Sequence, residues 1–92
     1  MENDIYIVDI ISNRIKIDEI DRQIIELFNE RMATVKNIAH EKKTKKIDIA
    51  NPGREIEVIN NVTKYAHPEI KEYALMLYKT MLEVSRSYQK TL

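Results

Sequence analysis

The sequence predicts an all-α fold: a protomer of three helices, the first of them long, that forms an intertwined helical homodimer. Residues that break helices are confined to the middle of the 92-residue chain, which has one glycine, Gly53, and two prolines, Pro52 and Pro68. On both sides of that region, apolar residues recur every three or four positions, as on one face of a helix. Residues 1–92 are therefore expected to form one small domain.

The first helix is predicted to exceed thirty residues and to end near Lys43. Its start is left open, because Asn3 and Ser12 are both suitable N-caps and residues 5–8 have strand propensity. One face is apolar but interrupted by three cations. It comprises Ile10, Arg14, Ile17, Ile20, Ile24, Leu27 or Phe28, Arg31, Val35, Ile38 and Lys42. A buried charge is costly unless an opposite charge meets it, so an anion of the protein or of a ligand is expected there.

The second helix is predicted to run from Pro52 to about Ala66, with Asn51 as its N-cap and proline in the first position. It ends before Pro68, because the residue preceding a proline avoids helical geometry. The third helix is predicted from about Glu69 to the C-terminus. The apolar faces of these two helices comprise Ile56, Ile59, Val62 and Ala66, and Ile70, Tyr73 or Ala74, Leu77, Met81, Val84, Tyr88 and Leu92.

Composition excludes several classes of function. Lys plus Arg and Asp plus Glu number 15 each, and a net charge of zero argues against a general nucleic-acid binder. The absence of cysteine excludes disulfides and thiolate metal sites and makes a cytoplasmic location the default expectation. The most apolar stretch, residues 5–11, contains Asp9 and is too short to span a membrane.

The spacing of the three cations on the first helix favours a site shared between two chains. Arg14 and Arg31 are separated by roughly 25 Å along a helix axis, so one straight helix cannot bring both to a small ligand. Arg31 and Lys42 are separated by roughly 16 Å, and their long side chains can converge. An antiparallel second copy would bring its own Arg14 alongside. It would also cover the part of the long helix that two short helices leave exposed.

Polar residues on the other helices complete a candidate pocket. Ser85 and Gln89 are four residues apart, so both lie on one face of the third helix. Arg54 and Glu55 lie in the first turn of the second helix, where free N–H groups favour negative charge. The set includes no histidine and no metal cluster, so covalent or proton-relay chemistry is unsupported. A pocket of cations and amides suits a small dicarboxylate.

These motifs, in this order, resemble the all-helical chorismate mutases over nearly the whole chain. The matching segments are R-I-K-I-D-E-I-D at residues 14–21, E-R-M at 30–32, A-H-E-K at 39–42, N-P-G-R-E at 51–55 and S-R-S-Y-Q at 85–89. The resemblance implies an isomerase that converts chorismate to prephenate in phenylalanine and tyrosine biosynthesis. That reaction is a [3,3] rearrangement which needs no cofactor, metal, covalent intermediate or proton transfer.

The resemblance also implies roles for individual side chains. Arg14 of the partner subunit and Arg31 are expected to clamp the two substrate carboxylates, helped by Arg54 and Ser85. Guanidinium groups suit this task because they bind carboxylates in a bidentate manner.

The remaining implied roles concern the ether oxygen and the ring hydroxyl of the substrate. Lys42 and Gln89 are expected to donate hydrogen bonds to the ether oxygen, where negative charge develops in the transition state. Glu55 and the backbone around Asn51 are expected to hold the ring hydroxyl. Asn51 stands where many members of the family have aspartate.

Three other interpretations are left open. A single arginine in a helix seam most often pairs with a carboxylate of its own protein, although that explanation weakens when three cations, Ser85 and Gln89 occur together. The related isochorismate-pyruvate lyases share the fold and the cationic pocket; Glu55 favours the mutase, because those lyases have an apolar residue there. A non-catalytic dimeric interaction module would retain the helix seam without turnover.

Overall fold

The structure, a computed structural model, describes the backbone of residues 2–92 and the side chains of residues 7–92. It contains three α-helices, α1 (Glu2–Lys45), α2 (Pro52–Tyr65) and α3 (Lys71–Lys90), and a short 3-10 helix, Pro68–Ile70, before α3. No strand occurs among these described residues, so the predicted all-α class and the long first helix are confirmed. None of the described helices has both the length and the apolar content that a membrane crossing requires.

Helix α1 is longer at both ends than the capping signals indicated. It includes Asn3 and Ser12, so neither residue is its N-cap, and it continues through residues 5–8 despite their strand propensity. Its end at Lys45 lies just beyond the predicted one. Helix growth is cooperative, and a β-branched residue opposes it only weakly. The helix therefore continues through a segment that contains no glycine or proline.

The end of α1 is a Schellman motif built without glycine. The amide of Ile47 donates to the carbonyl of Lys42 at 2.8 Å, and the amide of Lys46 donates to the carbonyl of Lys43 at 3.4 Å. Lys46 adopts a φ of 57°, the left-handed conformation that usually favours glycine. The chain therefore turns back onto the last turn of α1 immediately after the helix ends.

The start of α2 confirms the predicted cap. The side-chain oxygen of Asn51 accepts a hydrogen bond from the amide of Arg54 at 3.1 Å, and Pro52 is the first helical residue. At the other end, Ala66 has extended geometry, with φ −75° and ψ 139°, as expected for a segment that leads into Pro68. The predicted third helix differs in detail, because its first turn is the separate 3-10 helix Pro68–Ile70.

Contacts along the chain define two units, one ending at Ala33 and the other comprising Thr34–Leu92. The described part of the first unit is helical throughout. Its ten large apolar side chains from Ile7 to Leu27 are 46–64% exposed. Five of them, Ile10, Ile17, Ile20, Ile24 and Leu27, belong to the apolar seam predicted for burial, so that seam is exposed over this stretch of the single chain.

The second unit has a small core. Val35, Ala39 and Leu82 are its buried apolar residues, Ser85 is buried with them, and α2 packs on α3. The predicted apolar faces of α2 and α3 are only partly covered, because Ile56 (63%), Tyr73 (70%) and Leu77 (60%) are among the exposed residues. Helix α3 buries the face of Leu82 and Ser85 instead, since that is the side turned to its neighbours within the unit.

Candidate active site

A cavity of about 360 Å³ in the second unit brings together two of the predicted site residues. Lys42 lines it from the last turn of α1, Gln89 lines it from the last turn of α3, and Ile49 lines it from the intervening loop. We call it the Lys42 cavity. The two side chains expected to act on the ether oxygen therefore line the same cavity.

The Lys42 cavity carries an excess of positive charge. Lys42, Lys43 and Lys90 line it, against a single acidic residue, Asp48. An anion entering such a cavity gains Coulomb energy that water screens less than it would on an open surface. The charge balance suits a negatively charged ligand.

The ammonium group of Lys42 is held by the loop that follows its own helix. Its Nζ donates to the carbonyl oxygen of Ile49 at 3.0 Å, and the Lys42 side chain is half-buried. The loop reaches this position because the amide of Ile47 bonds the Lys42 carbonyl in the Schellman motif. An ammonium group has three N–H donors, so this hydrogen bond uses one and leaves two for a ligand.

Ser85 and Gln89 lie on one face of α3, as the four-residue spacing predicted. Ser85 is only 6% exposed, and its hydroxyl donates to the carbonyl of Met81 at 2.9 Å. Gln89 Nε2 donates to the carbonyl of Ser85 at 3.3 Å, while Gln89 Oε1 is buried without a hydrogen-bond partner in the described part of the chain. An unpaired buried acceptor costs about 1–3 kcal/mol, so Gln89 would be stabilised if its Oε1 accepted a hydrogen bond from a further donor.

Glu55 is paired with a residue that the sequence analysis missed. Arg86 Nη1 donates to Glu55 Oε1, and the two side chains are 33% and 28% exposed. Both line a second cavity of about 300 Å³ between α2 and α3, which we call the Glu55 cavity. The sequence carried no signal for this pairing, because Arg86 lies one turn after Leu82, which was not on the predicted apolar face of the third helix.

Arg54 and Asn51 do not line the Lys42 cavity. Arg54 Nη1 is 3.1 Å from Glu57 Oε2, in an ion pair whose side chains are 61% and 66% exposed. The side chain of Asn51 is occupied by its cap to the amide of Arg54. In this chain Arg54 thus points along its own helix, and the expectation that it binds a carboxylate requires a change of rotamer.

Arg14 and Arg31 both belong to the first unit. Arg14 is exposed, and Arg31 is half-buried. They lie seventeen residues apart on α1, as read from the sequence. The remaining predicted residues, from Lys42 to Gln89, belong to the second unit. Within the described residues, no three His, Asp or Glu side chains form a group that could hold a metal ion.

Comparison with known proteins identifies the family. The family model "Chorismate mutase type II" matches residues 4–90. A chorismate mutase of Methanocaldococcus jannaschii is 30% identical over 79 residues, which cover 84% of this chain and 80% of that protein. No solved structure matches the chain. The match spans α1, α2 and α3, and the chain therefore belongs to the type II chorismate mutase family.

Proposed function

We propose that this protein is an isomerase that converts chorismate to prephenate. The observation that carries the proposal is that Lys42 and Gln89 line one positively charged cavity. Family membership over residues 4–90 and the similarity to a named chorismate mutase support it. The absence of cysteine from the sequence supports a cytoplasmic location as part of the proposal.

The rearrangement requires the protein only to hold the substrate in a reactive conformation and to stabilise developing charge. In the [3,3] rearrangement one C–O bond of the ether breaks while one C–C bond forms within the same molecule, so no proton, electron or cofactor is exchanged. Negative charge grows on the ether oxygen in the transition state. We assign Lys42 and Gln89 as the two donors to that oxygen, because fixed donors in a water-poor site stabilise developing charge most effectively.

The two substrate carboxylates are best held by bidentate guanidinium groups, and the described lining of the Lys42 cavity contains lysines but no arginine. We assign them to Arg31 and to Arg14 of the partner subunit, with Arg54 and Ser85 assisting. Arg54 would exchange its exposed partner Glu57 for a substrate carboxylate. That exchange is easy, since an exposed ion pair within one helix contributes only about 0.3–0.5 kcal/mol. Holding both carboxylates keeps the substrate in its compact reactive conformation.

The homodimer is supported by the apolar surface that one chain leaves exposed. The ten large apolar residues between Ile7 and Leu27 have no cover within the first unit, and Tyr73 and Leu77 of α3 are also exposed. Large apolar side chains exposed in this number favour burial against a second protein surface. We propose that a second copy covers these faces and that its antiparallel α1 delivers Arg14 to the site.

For the ring hydroxyl of the substrate we assign Glu55, with the backbone around Asn51. An acidic residue at position 55 favours the mutase over the isochorismate-pyruvate lyase, whose members resemble this chain in fold but have an apolar residue there. A carboxylate accepts a hydrogen bond from a hydroxyl, and an apolar side chain does not.

Product analysis tests the proposal directly. Purified protein is incubated with chorismate and, separately, with isochorismate, and the products are identified after subtraction of the spontaneous reaction. Prephenate from chorismate supports the mutase, whereas pyruvate from isochorismate alone indicates the lyase. Consumption of neither indicates a non-catalytic module. The Lys42→Ala protein, purified in the same way, is the control for contaminating host enzyme.

A further inference from the structure

We propose that Arg86 is a positioning residue for this reaction: it orients the carboxylate of Glu55 toward the ring hydroxyl of the substrate. The inference rests on the proposed function and adds a residue to it. It is carried by the ion pair between Arg86 Nη1 and Glu55 Oε1, which links α3 to the first turn of α2.

The position of this pair distinguishes it from the pairs within single helices. Arg22 pairs with Glu19 and Glu26 three and four residues away, and all three side chains are more than half exposed. Glu55 and Arg86 are 31 residues apart in sequence and about two-thirds buried. Pairs within a helix follow from spacing alone, whereas this pair requires α2 and α3 to be packed in register.

Arg86 is well anchored for such a role. It follows the buried Ser85 directly and lies one turn after the buried Leu82, in the best-packed part of α3. A planar guanidinium on a fixed backbone loses less freedom on binding a carboxylate than a lysine ammonium does. Because both side chains remain partly exposed, their pairing contributes little to folding stability, and its main consequence is the orientation of Glu55.

The pair leaves Glu55 able to act on a ligand. The ion pair to Arg86 engages Oε1, and an ionised carboxylate has a second oxygen and spare lone pairs on both. A glutamate without such a partner samples several rotamers, and a ligand must then select one of them at a cost in affinity. Arg86 removes that cost in advance, so the acceptor oxygen is ready for the hydroxyl.

A double-mutant cycle on the full-length protein tests the inference. Turnover of chorismate is measured for wild type, Arg86→Gln, Glu55→Gln and the double variant, with thermal unfolding of each as a check on folding. Arg86→Gln should lower kcat/KM by about tenfold, less than the roughly hundredfold that a full misplacement of reacting groups causes. In the Glu55→Gln background the same substitution should change kcat/KM by less than about twofold, because coupled residues are not additive.

Arg86→Lys retains the positive charge and should fall between wild type and Arg86→Gln; it replaces Arg86→Gln in the cycle if the latter is unfolded at the assay temperature. Arg22→Gln, which breaks an exposed pair on α1, is the matched control and should leave kcat/KM unchanged. Additive losses in the cycle, or full activity of Arg86→Gln, would overturn the role of Arg86. A wild-type protein that does not consume chorismate would instead overturn the proposed function, and the inference with it.

Discussion

The ammonium of Lys42 donates to the carbonyl oxygen of Ile49 at 3.0 Å, so the loop after α1 fixes a side chain that lines the same cavity as Gln89. The same loop is fastened by the hydrogen bond from the amide of Ile47 to the carbonyl of Lys42. The carbonyl of Lys42 thus binds the start of the loop at Ile47, and its ammonium binds the loop again at Ile49. An ammonium held in this way is preorganised, and preorganised donors are the ones that lower a reaction barrier.

Lys42→Ala should therefore reduce turnover of chorismate severely. Loss of one well-placed donor to the ether oxygen costs about 3 kcal/mol of transition-state stabilisation or more, a factor of about a hundred or more in kcat. Steady-state kinetics measure the effect. Lys45→Ala, an exposed lysine in the same last turn, is the control and should retain wild-type kcat. Equal kinetics for the two variants would remove Lys42 from the site.

Gln89→Glu should shift the activity toward low pH. The introduced carboxyl donates to the ether oxygen only when protonated, and its ionised form repels that oxygen. Activity should therefore be present below the pKa of the introduced carboxyl and fall as pH rises through it. A pH profile of kcat measures this. Gln23→Glu, on the exposed part of α1, should keep the wild-type profile, and an unchanged profile for Gln89→Glu would contradict its placement.

Lys46→Gly should stabilise the protein. Lys46 has a φ of 57°, and a left-handed residue with a Cβ costs roughly 1 kcal/mol that glycine does not. We expect a higher melting temperature at fixed protein concentration. Lys45→Gly, at the last residue of α1, should lower it, since glycine disfavours helical geometry by up to about 1 kcal/mol. The same sign for both substitutions would contradict the described turn.

Asn51→Ala should destabilise α2 by about 1 kcal/mol, because the amide of Arg54 loses its side-chain acceptor. Asn51→Asp retains the acceptor and should be close to wild type in both stability and turnover. Chemical denaturation of the three proteins measures the difference. If Asn51→Ala were as stable as Asn51→Asp, the capping hydrogen bond would contribute nothing to the free energy of unfolding.

The three helices and the boundaries of α2 could be predicted from the sequence. Asn51 and Pro52 determine the start of α2 through local chemistry, and Pro68 determines its end, so both were predictable. The start of α1 was not, because the caps offered by Asn3 and Ser12 compete with cooperative growth of an uninterrupted helix.

The placement of the candidate site residues was predictable where helical spacing determines it and was missed where packing between helices does. Ser85 and Gln89 share a face by their spacing, and Lys42 was found as a charge on an apolar seam. The pairing of Glu55 with Arg86 depends on how α2 lies against α3, which no local pattern specifies. For the same reason, the rotamer that turns Arg54 toward Glu57 was outside the reach of the sequence.

The measurement that tests the central proposal most directly is subunit complementation between Arg14→Ala and Arg31→Ala. Each homodimer should be nearly inactive, since each pocket lacks one carboxylate clamp. After subunit exchange, a heterodimer should contain one intact pocket and one that lacks both arginines, because the two residues of a pocket come from different chains.

The mixture should recover about a quarter of wild-type turnover per chain if exchange is random, because half of the dimers then have one working pocket of two. Exchange itself is confirmed by mass spectrometry of differently tagged subunits. Recovered prephenate formation would support both the reaction and the shared site. Confirmed heterodimers that remain as inactive as either parent would contradict a pocket built from two copies of this chain.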